Sequence, residues 1–341
     1  MLNHLYSLIH EPIKIAHQDR DSFINWSSAV AQRAFIENDQ DAKLEVQRSL
    51  YNLYLGRLAV PWEKRAINVN HPLLAEIQFI FEESWYEAER LKHEPKLQSL
   101  PQVEDFPSWV QDYASNHYSN DLHPIFPFLA KEASLGQMRE FFFQETPLEM
   151  LFGDIVGLML PGLYGLPKME LVRNYWDEVG CGVDNRVHRN LRSQLMQYLG
   201  IPADAYISHA DLLICEELEL INLYLGLAVN RKKLAQLIGV MLTTELVIPG
   251  QFNYLIKGWK RLGISDEMLA YHLEHTTVDE VHAQDLLYRI VMPILKDAPH
   301  LMNDIVMGVS RRLDASGAVR DKLYDRIRNL SVDVNRNYAL R

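Results

Sequence analysis

The chain has 341 residues, 48% of them hydrophobic and 23% charged, enough to bury a sizeable core in one large or two ordinary domains. Its formal net charge of −11 excludes a phosphate-tracking surface, because nucleic-acid binding requires clustered Lys and Arg. With two cysteines, no uninterrupted apolar leader at the N-terminus and no run of about eighteen apolar residues, a cytoplasmic chain without a membrane span is expected.

Apolar residues recur at intervals of three and four through nearly every long segment, so the expected fold class is all-α. A first helix is expected over Ala42–Leu58. A second, over Leu73–His93, carries an apolar stripe of Ile77, Ile80, Phe81, Trp85 and Ala88. The proline-bearing segment Pro95–Pro107 is the expected boundary, dividing the chain into a helical region over 1–100 and a main domain over 101–341. So thin a first layer leaves part of its stripe to be covered by the main domain or by a second subunit, hence an expected homodimer. Beyond the boundary the periodicity predicts helices near 108–118, 127–146, 149–160, 168–199, 209–225, 231–247, 250–262, 266–296, 298–313 and 316–330.

The sharpest chemical signal is His275-Thr-Thr-Val-Asp279-Glu-Val-His282. At about 100° per residue its first, fifth and eighth positions share one helix face, and the stripe runs on into Leu286 and Ile290. Two imidazoles and a carboxylate therefore stand where the pattern calls for core. A metal would satisfy all three at once, whereas a solvated face or one satisfied core histidine is the plainer alternative.

Other residues repeat that placement. Glu245 falls in register with Leu234, Ile238, Met241 and Ile248, where an unpaired carboxylate would be costly to bury. His188 aligns with Leu191 and Leu195, and Glu178 stands ten residues before it, with Gly180 and Gly182 between. Glu145 follows Met138, Phe141 and Phe142 in another apolar stripe, with Glu140 and Glu149 close by. Four carboxylates and three histidines exceed the needs of one zinc ion and suit two iron or manganese ions. Asp184 and Tyr271, one turn before His188 and His275, are candidate supports for those ligands, and the two cysteines are not expected to ligate.

The order Glu145, Glu178, His188, Glu245, His275, Asp279, His282, with the local sequence Asn174-Tyr-Trp-Asp-Glu-Val-Gly-Cys-Gly182, resembles the haem-oxygenase-like diiron oxidases and oxygenases over residues 108 to 300. Ferritin-like proteins are the competing family, but their paired ExxH motifs do not occur. The resemblance implies a helical bundle, two Fe ions as cofactor, O2 as co-substrate, an external reductant and a small-molecule substrate. It is strongest toward the streptozotocin-type N-oxygenases, whose additional glutamate ligand is matched by Glu178, and whose C-terminal cupin domain has no counterpart after His282. The activity implied by the resemblance is N-oxygenation of an amine or guanidine on an amino-acid-derived metabolite, with Glu178 as the catalytically distinctive ligand. Oxidative desaturation or C–C cleavage of an aliphatic or amino acid is the alternative within the family. A metal-free hydrolase, ligand-binding member or plain helical scaffold is the alternative outside it.

Overall fold

The structure, a computed structural model, describes residues 2–10 and 17–330, apart from the side chains of 2–4, 17–18 and 277–280. No strand occurs among the described residues. In chain order the helices are α1 (Leu2–His10), α2 (His17–Phe35), α3 (Gln40–Leu58), α4 (Pro72–His93), α5 (Phe106–Ser115), α6 (Ile125–Lys131), α7 (Leu135–Met159) and α8 (Gly165–Glu178). They continue with α9 (His188–Tyr198), α10 (Ala205–Ser208), α11 (Cys215–Val229), α12 (Leu234–Arg261), α13 (Ala270–Asp285), a π-helical turn over Leu286–Val291, α14 (Met292–Asp297) and α15 (Met302–Arg328).

The chain divides into two compact units. The first comprises residues up to Pro95 together with Leu213–Val229, so α11, expected in the main domain, completes the N-terminal one. Its attachment is polar as well as apolar: Asn222 Nδ2 donates to the Gln47 carbonyl at 2.8 Å, and Lys43 Nζ meets Glu219 at 2.8 Å. Part of the α4 stripe is covered from within the chain. Phe81 and Trp85 are buried, and Trp26 of α2 sets its ring edge-on to Phe81 at 5.8 Å. Ile80 and Ala88 of the same stripe are only half-buried.

Deep in this unit Tyr54 donates its hydroxyl to Glu82 at 2.8 Å, and Gln78 donates to the same oxygen at 2.7 Å. Gly226 of α11 makes room for these rings, since a Cβ there would lie 2.5 Å from the Tyr86 hydroxyl and 2.7 Å from that of Tyr54.

The second unit holds the rest of the chain and is organised on α12, a long helix packed against α13, α15 and α6. The stretch Arg231–Arg261 is long and apolar enough to cross a membrane, but 83% of its most apolar window is buried within the fold. Two expected breaks are absent: α7 runs through Pro147 and α12 through Pro249. Each proline removes one backbone hydrogen bond, yet burial of the helix on both sides holds the axis together. Likewise α15 is one helix where a break near 314 was expected.

Conversely, the helix expected over 168–199 is broken. Gly180, Cys181 and Gly182 all have positive φ, at 65°, 53° and 81°, which ends α8 at Glu178 and turns the chain through two short 3₁₀ segments before α9 begins at His188. Gly180 is required, because a Cβ there would stand 2.5 Å from the backbone at Arg186 and Val187.

Gly226→Ala is expected to lower unfolding stability by about 1–3 kcal/mol, through displacement of two buried tyrosine hydroxyls. Urea denaturation followed by circular dichroism would read this as a lower midpoint with an unchanged slope. An unchanged midpoint would show that the rings shift freely.

Candidate metal centre

The break after α8 has a geometric result. It leaves Glu178 as the last residue of one helix and His188 as the first of the next, both buried and facing each other, with His188 Nδ1 3.1 Å from Glu178 Oε1. That approach is off-line for a hydrogen bond, so the imidazole nitrogen is buried without one. His275 of α13 joins them, its ring centroid 4.4 Å from that of His188. One donor atom from each of Glu178, His188 and His275 can be chosen so that all lie within 4.8 Å of one another.

The tautomer of His275 is set by its own helix. Its Nδ1 donates to the Tyr271 carbonyl at 2.7 Å, which leaves Nε2 with its lone pair free to ligate, the arrangement seen in metal-binding histidines. The Tyr271 ring packs on His275 at 4.3 Å, and its hydroxyl donates to Glu149 of α7. Glu149, Glu178, Glu245 and His275 together line a cavity of about 20 Å³, room for an ion or a water-sized group. No lysine or arginine lines it among the described residues.

Glu245 reaches the same cavity from α12. It accepts from Asn174 Nδ2 at 3.4 Å, and its Oε2 lies 3.8 Å from His282 Nδ1. His282 Nε2 in turn meets Asp177 Oδ2 at 3.0 Å. Pro249, four residues beyond Glu245, cannot donate to the Glu245 carbonyl, so one backbone hydrogen bond of the helix is missing there.

The charges show what the cavity lacks. Burial pushes Glu149 up to about 7, although Arg192 opposes it, and burial pushes Glu245 to about 7 as well against the pull of His282. Burial and then the neighbouring His188 drive His275 down to about 3. Burial also works against the charge of Glu178, yet the imidazoles beside it, His188 first, hold its carboxyl below the usual range. Three carboxylates without an arginine or lysine among them form a site short of positive charge, and mixed oxygen and imidazole donors suit iron or manganese.

Of the residues singled out from sequence, Glu178, His188 and His275 come together, with Glu245 and His282 beside them. The side chain of Asp279 lies outside the described residues. Glu145 is turned elsewhere: it is buried against Arg320, whose Nη1 is 3.2 Å away, and the carboxylate that lines the cavity is Glu149, one turn later. Asp184 is exposed and bonded to Asn190, so it supports no imidazole, whereas Tyr271 supports both His275 and Glu149. Asn174 and Asp177, which hold Glu245 and His282, were not singled out. Their positions on the helix that ends at Glu178, one turn and one residue before it, were the available signal.

A family model described as an iron-containing redox enzyme matches residues 139–317. No curated protein sequence matches the chain. Two crystal structures of a CADD-like protein of unknown function from Nostoc punctiforme PCC 73102 are similar. One has a TM-score of 0.54 and 14% identity, covering 66% of this chain and 98% of that one; the other has 0.52 and 12%, covering 67% and 98%. A domain of unknown function with a heme oxygenase-like fold from Shewanella denitrificans OS217 matches with a TM-score of 0.50 and 13% identity, covering 67% of this chain and 95% of that domain. The architecture is thus an all-α, haem-oxygenase-like helical bundle. Since the family model spans more than half of its length, the chain belongs to the haem-oxygenase-like family of iron-containing redox enzymes.

Proposed function

We propose that the chain is a non-haem diiron oxygenase that transfers an oxygen atom to the nitrogen of an amine or guanidine. The observation that carries this reading is the convergence of buried Glu178, His188 and His275 beside a cavity that Glu178 and His275 line together with Glu149 and Glu245, with no lysine or arginine lining it among the described residues. Glu178, His188 and His275 would hold one iron, and Glu245 and His282 would serve the second, with Asp279 added from the motif. Glu149 takes the place of Glu145 as the carboxylate contributed by α7. Bound there, the irons supply electron transfer to O2, and an external reductant restores them.

The protein's own part is positional. The Tyr271 carbonyl fixes which nitrogen of His275 carries the proton, and the Tyr271 hydroxyl holds Glu149 in place. Asn174 and Asp177 restrain Glu245 and His282 from the far side. Burial excludes bulk water, which strengthens every charge interaction in the cavity. Glu178 would add a carboxylate to a metal held by the imidazoles of His188 and His275, and this extra negative donor would favour oxygen transfer to a nitrogen lone pair over attack on a strong C–H bond. One oxygen atom of O2 goes to nitrogen, and the other leaves as water with two electrons from the reductant and two protons.

Two predictions separate the carboxylates. Glu149→Gln is expected to reduce iron retained after anaerobic loading and gel filtration while helical content stays constant. Glu145→Gln is expected to keep its iron but to lose about 3 kcal/mol of stability, because Arg320 stays buried with its charge partner gone. If the two variants exchange these phenotypes, α7 has been assigned the wrong donor.

The reaction is tested with ¹⁸O2. Iron-loaded enzyme, reductant and a panel of amines and guanidines are expected to give a hydroxylamine or N-hydroxyguanidine carrying one labelled atom. Products that have lost two hydrogens or a carbon fragment, with no label on nitrogen, would contradict N-oxygenation.

A further inference from the structure

His275 and His282 lie on one helix, seven residues apart, yet the structure presents them by opposite nitrogens. His275 commits Nδ1 to the Tyr271 carbonyl at 2.7 Å, within its own helix, and keeps Nε2 for the cavity. His282 does the reverse: Nε2 lies 3.0 Å from Asp177 Oδ2 on α8, and Nδ1 faces Glu245, 3.8 Å from Oε2. Both imidazoles are buried, so each ring is oriented by its outer partner rather than by solvent.

The outer partners differ in kind. The Tyr271 carbonyl is a neutral acceptor, whereas Asp177 is a carboxylate, and an imidazole that donates to a carboxylate gathers negative charge on its other nitrogen and becomes the more basic ligand. Asp177 is itself restrained. It stands one residue before the end of α8, and its second oxygen accepts from Cys181 Sγ at 3.4 Å, across the turn that ends the helix. Asn174, three residues earlier on the same face of α8, donates to Glu245. One helix face therefore stands behind both Glu245 and His282. The Asp177 side chain is 37% exposed, so it can be replaced without opening the core.

We infer that Asp177 is the positioning residue of the metal site beside Glu245: it holds His282 in the Nε2–H tautomer, so that Nδ1 is the ligating atom, and its charge makes His282 a stronger donor than His275. The two histidines of one motif are then unequal by construction, one backed by a neutral carbonyl of its own helix and the other by a carboxylate of a different helix. The inference rests on the diiron reading for the metal that His282 would serve; the tautomer needs no metal.

Two measurements test this. In the metal-free protein at mildly alkaline pH, ¹⁵N-histidine NMR, with His282 assigned by His282→Gln, is expected to show His282 protonated at Nε2 and His275 at Nδ1. In anaerobic calorimetric titration with Fe(II), the wild type is expected to take two irons per chain, and Asp177→Ala to bind one of them about ten- to a hundredfold more weakly while the other keeps its affinity. Asp177→Asn, which retains an acceptor oxygen and loses the charge, is expected to fall between. His282 protonated at Nδ1, an Asp177→Ala titration indistinguishable from wild type, or equal weakening of both irons would overturn the assignment. A wild type that takes fewer than two irons while His282 shows the expected tautomer would count against the diiron reading and support the Asp177 contact, so the two failures are distinguishable.

Discussion

The constraint on which the second unit turns is a set of buried carboxylates whose shared cavity is lined by no lysine or arginine among the described residues. Glu149, Glu178 and Glu245 share one cavity, and burial alone would cost each several kcal/mol if it stayed charged and unpaired. Elsewhere in the same unit the fold does supply such partners: Glu145 has Arg320, and Glu140 has Arg326 at 2.8 Å. The contrast is that α15 sets an arginine directly against a buried carboxylate of α7, whereas at the cavity the buried Arg192 acts on Glu149 without lining it. Histidines stand there instead, with His275 locked by the Tyr271 carbonyl and His188 Nδ1 left without a hydrogen bond. Such a donor set is one that a cation would satisfy.

Backbone irregularity serves this arrangement. Three consecutive positive φ angles at Gly180, Cys181 and Gly182 turn what would be one long helix into two, so that Glu178 and His188 meet end to end instead of lying ten residues apart on one rod. Pro249 removes one backbone hydrogen bond from α12 a turn after Glu245, and the π-helical turn after α13 carries Arg289, which pairs with Glu170. Each of these departures from ideal helix geometry lies beside a buried carboxylate, Glu178, Glu245 or Glu170, and local rules are commonly broken for function at such places.

Much of this was legible in the residues alone. The all-α class follows from periodicity; His188, Glu245, His275 and His282 stood out because each interrupts an apolar register, and Glu178 because it stands ten residues before His188 in a stretch that resembles the family. The parts that were not legible depend on contacts between distant segments. Glu145 and Glu149 differ by a single turn of α7, and only Arg320, far along the chain on α15, draws Glu145 away from the cavity. The cover of the α4 stripe by α2, and the return of α11 to the N-terminal unit, are tertiary choices of the same kind. Pro147 and Pro249 read as helix ends because the local signal is strong, but burial along α7 and α12 outweighs one lost hydrogen bond.

The claim that the buried carboxylates await a pair of metal ions is tested most directly by anomalous diffraction at the iron edge, on crystals loaded anaerobically with Fe(II). The account predicts two anomalous peaks in the second unit, one bounded by Glu178, His188 and His275 and the other beside Glu245 and His282. A single peak, no peak, or iron bound away from these side chains would contradict it.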